Sequence, residues 1–384
     1  GKNAGLIGSF LYAVSPGAVF LDRWVVPTQP TILWSVWFLF VLLSILRGNF
    51  QILIPLAILI GLILHIHIAF IPLLLLLSIA YFLSYGEKKL KYSLKTISAS
   101  LLIIMVLTSP FVLFEVRHSF QQTNSLINAV YKDHDQLTGL GRAAKTLNSG
   151  GRSLAGAFVL SNTVIELPPL LTSFLPFLLL SGICYLWNRH VLQKKQAILL
   201  LSWFAIVFLG QFLSKRIITE YYFNNLFVIL FLIISLILAK MNNMLQKIPI
   251  IKIVLVLYLI GVTIWFIARP DDMGGYLYKK RAIEYIKADI VSRRYNCIAV
   301  NYIEEQGGGA TGFRYLFWLN GLNIITAGSD VPVYSVVEPW SISEKEISAK
   351  IGTIGVIEPE IKTIDPLVCN KPERQLLPLW GFNN

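Results

Sequence analysis

Between residues 4 and 267 the chain is a series of apolar stretches joined by polar loops, all but one of them short, with more apolar residue than a soluble core of this size requires. The stretches are 4–21, 31–46, 52–64, 69–83, 97–113, 167–187, 197–213, 221–239 and 250–267. A bilayer's hydrocarbon core takes about 20 apolar residues of helix per crossing. The pattern therefore predicts a polytopic α-helical membrane protein of about nine spans, two of them short. Composition agrees, with 55% hydrophobic and 14% charged residues among 384, a balance far from that of an average soluble domain.

The loops alternate in character. Lys88, Lys89, Lys91 and Lys95, then Arg189, Lys194 and Lys195, then Lys240, Lys247 and Lys252 fill every second one. Positive loops stay in the cytoplasm, so the others share the outer face. Those carry Arg23, His65 and His67, the run Glu115-Val116-Arg117-His118, and Lys215, Arg216, Glu220 and Tyr221. The net charge is +12, yet from Arg269 onward 13 basic residues face 14 acidic ones. The surplus lies in the membrane part, where it sets topology and meets lipid headgroups, which argues against a nucleic-acid partner.

Two regions are expected outside the bilayer. The first, 117–166, is long for a bundle connection. Leu126, Ile127, Val130 and Tyr131 at helical spacing predict a surface helix there, and Gly150-Gly151 predicts a turn. The second, 269–384, reads as a small extracytoplasmic α/β domain behind the membrane region 1–268. Ala282, Ile283, Ile286, Ile290 and Val291 form one helical face. Segments 297–303, 331–337 and 353–357 read as strands and 343–351 as a short helix. Cys184 lies in an apolar stretch. Cys297 and Cys369 are free to bridge in an oxidising compartment or to stay thiols, and no metal-ligand spacing exists among the three.

The outer loops hold the chemistry. His65 and His67 interrupt the apolar run 52–83, and a broken helix in lipid lines a cavity or is buried in protein. A polar residue at such a break is a functional candidate; the plainer account is that both histidines cap a tight turn. Two histidines at i, i+2 without a carboxylate make a poor metal site. Arg23 either snorkels to headgroups or grips a phosphate with its guanidinium fork. Glu115, Arg117 and His118 end another span, where local ion pairing also accounts for them, and Lys215-Arg216 before Glu220-Tyr221-Tyr222 repeats the theme. Gly307-Gly308-Gly309 lacks the Gly-Lys-Ser/Thr ending of a P-loop and reads as a turn.

In these segments the chain resembles glycosyltransferase family 39, the protein-mannosyltransferase and lipid A aminoarabinose-transferase relatives within the GT-C superfamily. Ser15-Pro16 through Arg23, with Pro27 and Pro30, looks like the family's Ser-Pro, Arg and Pro pattern. Gly61-Leu62-Ile63-Leu64-His65-Ile66-His67 is similar to its Gly-Leu-x-Leu-Gln-x-His segment, which favours His67 over His65. The run from Pro110 through Phe114-Glu115, Arg117-His118 and Phe120 looks like its entry into a long outer loop. Tyr221-Tyr222-Phe223 resembles the motif opening a late span. The likeness covers residues 1 to about 268.

The resemblance implies a GT-C-like fold and transfer of a sugar from a polyprenyl-phosphate carrier to a glycan, lipid or protein acceptor on the outer face of a prokaryotic plasma membrane. No divalent metal or nucleotide is implied by the residues. Attack at the anomeric carbon needs a carboxylate to take the acceptor's proton and cations for the leaving lipid phosphate. Arg23, Arg117, Lys215 and Arg216 are the expected cations, His67 the expected positioning residue, and Glu115, His118, Tyr221 and Tyr222 complete the candidates. The family's catalytic acid sits in a first outer loop, expected upstream of Gly1; Asp22 does not match it. The alternative from another class is a secondary transporter or flippase for a lipid-linked or small polar substrate. That reading predicts repeated halves and buried ion-binding carboxylates, and neither is visible in the sequence.

Overall fold

The computed structural model describes residues 1–23, 30–49, 52–84, 93–131, 137–158, 168–214, 218–244, 250–268, 276–304, 312–328, 330–338, 347–360 and 366–371. The chain divides into two compact units, Gly1–Phe266 and Ile267–Asn384.

The first unit is helical: α1 (Lys2–Val14), α2 (Pro16–Arg23), α3 (Thr31–Leu46), α4 (Leu53–Ile66), α5 (Leu75–Ser84), α6 (Leu94–Arg117), α7 (Gln121–Tyr131), α8 (Gly139–Gly156), α9 (Pro169–Asn188), α10 (Lys194–Leu213), α11 (Phe227–Met244) and α12 (Ile250–Ala268). Two 3-10 segments, Ile68–Leu74 and Glu220–Leu226, lead into α5 and α11. Helix starts follow local chemistry. Ser93 Oγ accepts the Thr96 N–H at the start of α6, Gln193 and Gln196 form a reciprocal cap on α10, and Pro169 takes the first turn of α9, where no N–H is missed. The core is aromatic and aliphatic. Phe38 stacks on Trp34 at 4.7 Å and meets Trp203 edge-on at 5.7 Å, while Phe70, Phe223 and Phe227 fill around them.

Among the described residues four helices are long and apolar enough to cross a bilayer: Leu94–Arg117, Pro169–Asn188, Lys194–Leu213 and Glu220–Met241. The expected count of about nine is thus not reached. At 1.5 Å per residue, α3 and α4 span about 24 and 21 Å, short of a core about 30 Å thick. The stretch 4–21 is broken at Ser15 into α1 and α2. What does hold is the apolar exterior. Leu101, Leu102, Met105, Val106, Val112, Leu113 and Val116 of α6 are all exposed, as are Val254, Val256, Leu257, Ile260 and Ile264 of α12. Each such side chain gains about 1.5–3 kcal/mol on leaving water, so surfaces of this kind belong in lipid.

The described residues of region 117–166 hold two helices. α7 covers the expected surface helix. α8 overturns the turn expected at Gly150-Gly151, because both glycines lie inside it and are buried. They serve close packing: a Cβ on Gly151 would overlap the Thr172 carbonyl, and one on Gly150 would lie 2.6 Å from the Phe208 ring.

The second unit packs α13 (Tyr276–Arg293) and α14 (Phe313–Leu319) with a four-stranded sheet of order β1-β2-β4-β3: β1 (Ala299–Glu304), β2 (Val333–Glu338), β3 (Ala349–Ile351) and β4 (Ile354–Ile357). β1 and β2 pair in parallel, with Ala299 opposite Val333, and the other pairs are antiparallel. Buried Ile283, Ile286, Phe313, Phe317, Tyr334, Ile354 and Val356 make its core. The helix expected at 343–351 is corrected. Residues 349–351 are β3, joined to β4 through Gly352 at φ +62, and 343–346 lie outside the described residues. Cys297 and Cys369 form a disulfide, and Cys184 is a free thiol.

Candidate functional site

His67 stands where α4 stops. Its backbone is extended (φ −168, ψ 132), and Nδ1 accepts the Ala69 N–H at 3.0 Å, capping the 3-10 segment that follows. With Nδ1 an acceptor, the neutral imidazole carries its proton on Nε2. Pro72, inside the 3-10 segment, cannot donate a backbone hydrogen bond there. The His67 ring meets Tyr222 at 5.3 Å, Tyr221 at 5.8 Å and Phe70 at 6.1 Å, and the two tyrosines lie 4.3 Å apart.

The tyrosines ride on the segment Glu220–Leu226, which is pinned from below. Buried Asn225 donates from Nδ2 to the Tyr222 carbonyl at 2.9 Å and accepts from Trp203 Nε1 at 3.0 Å. Ser153 Oγ donates to Asn224 Oδ1 at 3.2 Å. These partners satisfy two buried amides and set the tyrosine backbone against α8 and α10. Glu220, the first residue of the segment, pairs with Arg152 of α8 at 3.7 Å, with both side chains partly exposed. In that setting the pair adds little to stability, and it ties α8 to the start of the segment that carries the tyrosines.

Helix α8 delivers Arg152 because of its small residues. Gly151 and Gly150 press against α9 and α10 as described above. Ser15, which caps α2 through the Ala18 N–H at 3.1 Å, also donates to the Ala157 carbonyl. Gly17 abuts the Gly156 carbonyl so closely that no Cβ fits. At its other end, buried Arg142 donates to the carbonyls of Phe212 (2.7 Å) and Gln211 (3.0 Å) of α10. The starts of α2 and α9, the end of α10 and the segment before α11 are thereby gathered around α8.

The other expected residues fall differently. His65 Nε2 bonds the Leu107 carbonyl of α6 at 2.6 Å, one helical turn from Gly61, whose missing Cβ admits the Leu107 side chain. His65 therefore holds α4 to α6. Glu115 is buried and accepts from Gln122 N (3.2 Å), Thr123 N (2.8 Å) and Thr123 Oγ1 (2.5 Å), so it caps α7. Arg117 is exposed, and His118 stacks on Phe114 at 4.1 Å with Nδ1 bonded to the Phe114 carbonyl at 2.8 Å. Among the described contacts none joins Glu115, Arg117 or His118 to His67. Leu107 lies ten residues before Arg117, about 15 Å along the helix. Arg23 ends α2, with its side chain outside the described residues, as are Lys215 and Arg216 entirely.

Of the sequence candidates, the structure thus joins His67, Tyr221 and Tyr222. It adds Arg152 and Glu220, the first of which sequence reasoning missed. The available signal was Ala143, Leu147, Gly150 and Leu154, spaced as one face of a helix that would carry Arg152 with it. No group of three His, Cys, Asp or Glu able to hold a metal occurs among the described residues. The cluster brings together an imidazole and two phenols with their aromatic faces, and the residue before Tyr221 in the chain, Glu220, carries a carboxylate paired with a guanidinium; groups of these kinds suit a phosphate ester and a polyhydroxy group. Compared with known proteins, the chain matches no family model, no curated protein and no solved structure.

Proposed function

We propose that this protein is a membrane glycosyltransferase of GT-C-like design that moves a sugar from a polyprenyl-phosphate donor to an acceptor beyond the bilayer. The observation that carries the reading is the meeting of His67 with Tyr221 and Tyr222, 5.8 and 5.3 Å away. They come from two distant segments, each of which resembles a family-39 motif, and Glu220, which pairs with Arg152, immediately precedes Tyr221 in the chain.

In this proposal the acceptor hydroxyl attacks the anomeric carbon and the bond from that carbon to the phosphate oxygen breaks. The lipid phosphate leaves with the electron pair, and a carboxylate takes the acceptor's proton. Arg152 answers the charge developing on the phosphate, with Lys215 and Arg216 a few residues before Glu220 in sequence. Glu220 orients Arg152 and is the carboxylate that the described residues set beside the cluster. The tyrosine rings offer apolar faces to the sugar. The Cys297–Cys369 disulfide supports an oxidising compartment for the second unit, in keeping with chemistry away from the cytoplasm.

The test is incubation of the full chain, in lipid nanodiscs, with polyprenyl-phosphate sugars. Loss of the lipid-linked sugar with release of polyprenyl phosphate is the expected result. In sealed vesicles, movement of chemically unchanged substrate across the bilayer would instead establish a transporter or flippase and overturn the proposal.

A further inference from the structure

Helix α14 is split by burial. Phe313, Leu316 and Phe317 enter the core of the second unit, while Tyr315, Trp318 and Leu319 remain 42%, 44% and 55% exposed. The Tyr315 and Trp318 rings lie 5.8 Å apart on that outward face. Cations bracket the same helix. Lys279 Nζ lies over the Phe313 ring at 5.2 Å at its start, Arg314 is its second residue, and Lys287 Nζ donates to the Asn320 carbonyl at 3.2 Å at its end. α14 itself contains no acidic residue.

We propose that this face of α14 docks on an anionic lipid surface. Trp and Tyr with a Leu beside them suit the headgroup boundary, where one end of the ring is apolar and the other wet. Lys279, Arg314 and Lys287 complement anionic headgroups. The chain keeps such a surface within reach. Apolar α12 ends at Ala268 and α13 begins at Tyr276, so the tether extends to about 29 Å at most. Lys279, in the first turn of α13, lies over the ring of Phe313, the first residue of α14, so α14 starts beside the tethered end of this unit. Interfacial docking does not depend on the transfer chemistry proposed above.

The full chain carrying a photoreactive benzoyl-phenylalanine at position 318, 319 or 350 is placed in nanodiscs of phosphatidylcholine, alone or mixed with phosphatidylglycerol, and irradiated. Lys350, exposed on β3, is the comparison site. Lipid adducts at 318 and 319 are expected to exceed those at 350 severalfold and to rise with phosphatidylglycerol. Arg314→Gln should lower the yield about fivefold in the mixed lipid, the effect of losing one interfacial cation. Adducts to protein in place of lipid, or a yield at 318 no higher than at 350, would overturn the docking. Equal yields in the two lipid compositions would overturn its anionic character.

Discussion

Arg142 and Phe212 are joined at 2.7 Å, guanidinium Nε to main-chain carbonyl, and the same side chain reaches the Gln211 carbonyl at 3.0 Å. One buried cation thus closes the carboxyl end of α10, where the last carbonyls of a helix lack partners within it and the helix dipole favours positive charge. Arg142→Ala leaves these carbonyls without that partner. The expected loss is about 3 kcal/mol, for hydrogen bonds from a charged donor, read as a lower unfolding temperature in detergent. Arg142→Lys keeps the charge but not the fork and should recover less than half of the loss. Full recovery by lysine would show that charge alone matters there.

Gly17 and Gly151 each meet a neighbouring carbonyl with no room for a Cβ, whereas Gly210 in α10 has nothing within 4 Å. Gly17→Ala and Gly151→Ala should each destabilise by about 1–3 kcal/mol through overpacking. Gly210→Ala should stabilise by up to about 1 kcal/mol through helix propensity. Thermal unfolding of the three variants side by side decides it, and equal effects would mean that α8 does not pack as described.

His67 does two jobs that substitution can separate. It caps the segment Ile68–Leu74 through Nδ1, and its ring faces Tyr221 and Tyr222. His67→Asn keeps an acceptor oxygen for the Ala69 N–H and removes the ring, while His67→Ala removes both. Under the proposed function, both variants should lose donor turnover by at least about tenfold, the order of one lost positioning contact. Only the alanine variant should also unfold at a lower temperature. Retained turnover in His67→Asn would reduce His67 to a cap.

How much of this was readable beforehand depends on where each partner lies. The apolar helices are written locally, because lipid demands long uncharged runs. α8 is not, since its face is built from glycines that fit only against carbonyls and rings supplied by α2, α9 and α10; out of that context Gly150-Gly151 reads as a turn. Helical spacing could have marked a face near Arg152, but neither Arg142 nor Arg152 has a local partner, for theirs lie 70 and 68 residues on. Among the named candidates, His67 is visible as a polar break in an apolar run. Glu115 is visible only as a charge, and its capping role needs the αL residues Ser119 and Phe120 that fold α7 back onto it. Three residues of β3 are too few for a period-2 pattern, so pairing with β4 across Gly352 decided that segment.

The disulfide joins the 3-10 segment Pro366–Asn370 to the residues entering β1, and Cys297, Ala299, Ile325, Val331, Val368 and Cys369 form one buried cluster. Its partners are 72 residues apart, and loop-closure entropy of that order corresponds to about 4 kcal/mol. Adding reductant, or making Cys297→Ser with Cys369→Ser, should lower the unfolding temperature of the second unit and leave that of the helical unit unchanged. A shift in both transitions would show that the two units unfold together.

Tyr285 donates to Glu358 Oε1 and Tyr334 to Asp289 Oδ2, both at 2.5 Å, while Arg293 bridges Asp289 and Glu358. Hydrogen bonding to the Glu358 carboxylate, then burial, pushes the Tyr285 phenol up to about 12. Burial, then the bond to Asp289, raises that of Tyr334, and burial pushes Tyr302 up to about 12. In the unfolded chain these phenols ionise near pH 10. Folding therefore keeps protons that the unfolded chain releases, so stability falls as pH rises. The contribution is whole below about pH 10 and is lost progressively toward about 12. Tyrosinate absorbance and near-ultraviolet circular dichroism, followed together, should show ionisation of these phenols coinciding with loss of the second unit's fold. Tyr285→Phe and Tyr334→Phe should each shallow that decline, and an unchanged pH profile in both would show that the phenols are not coupled to folding.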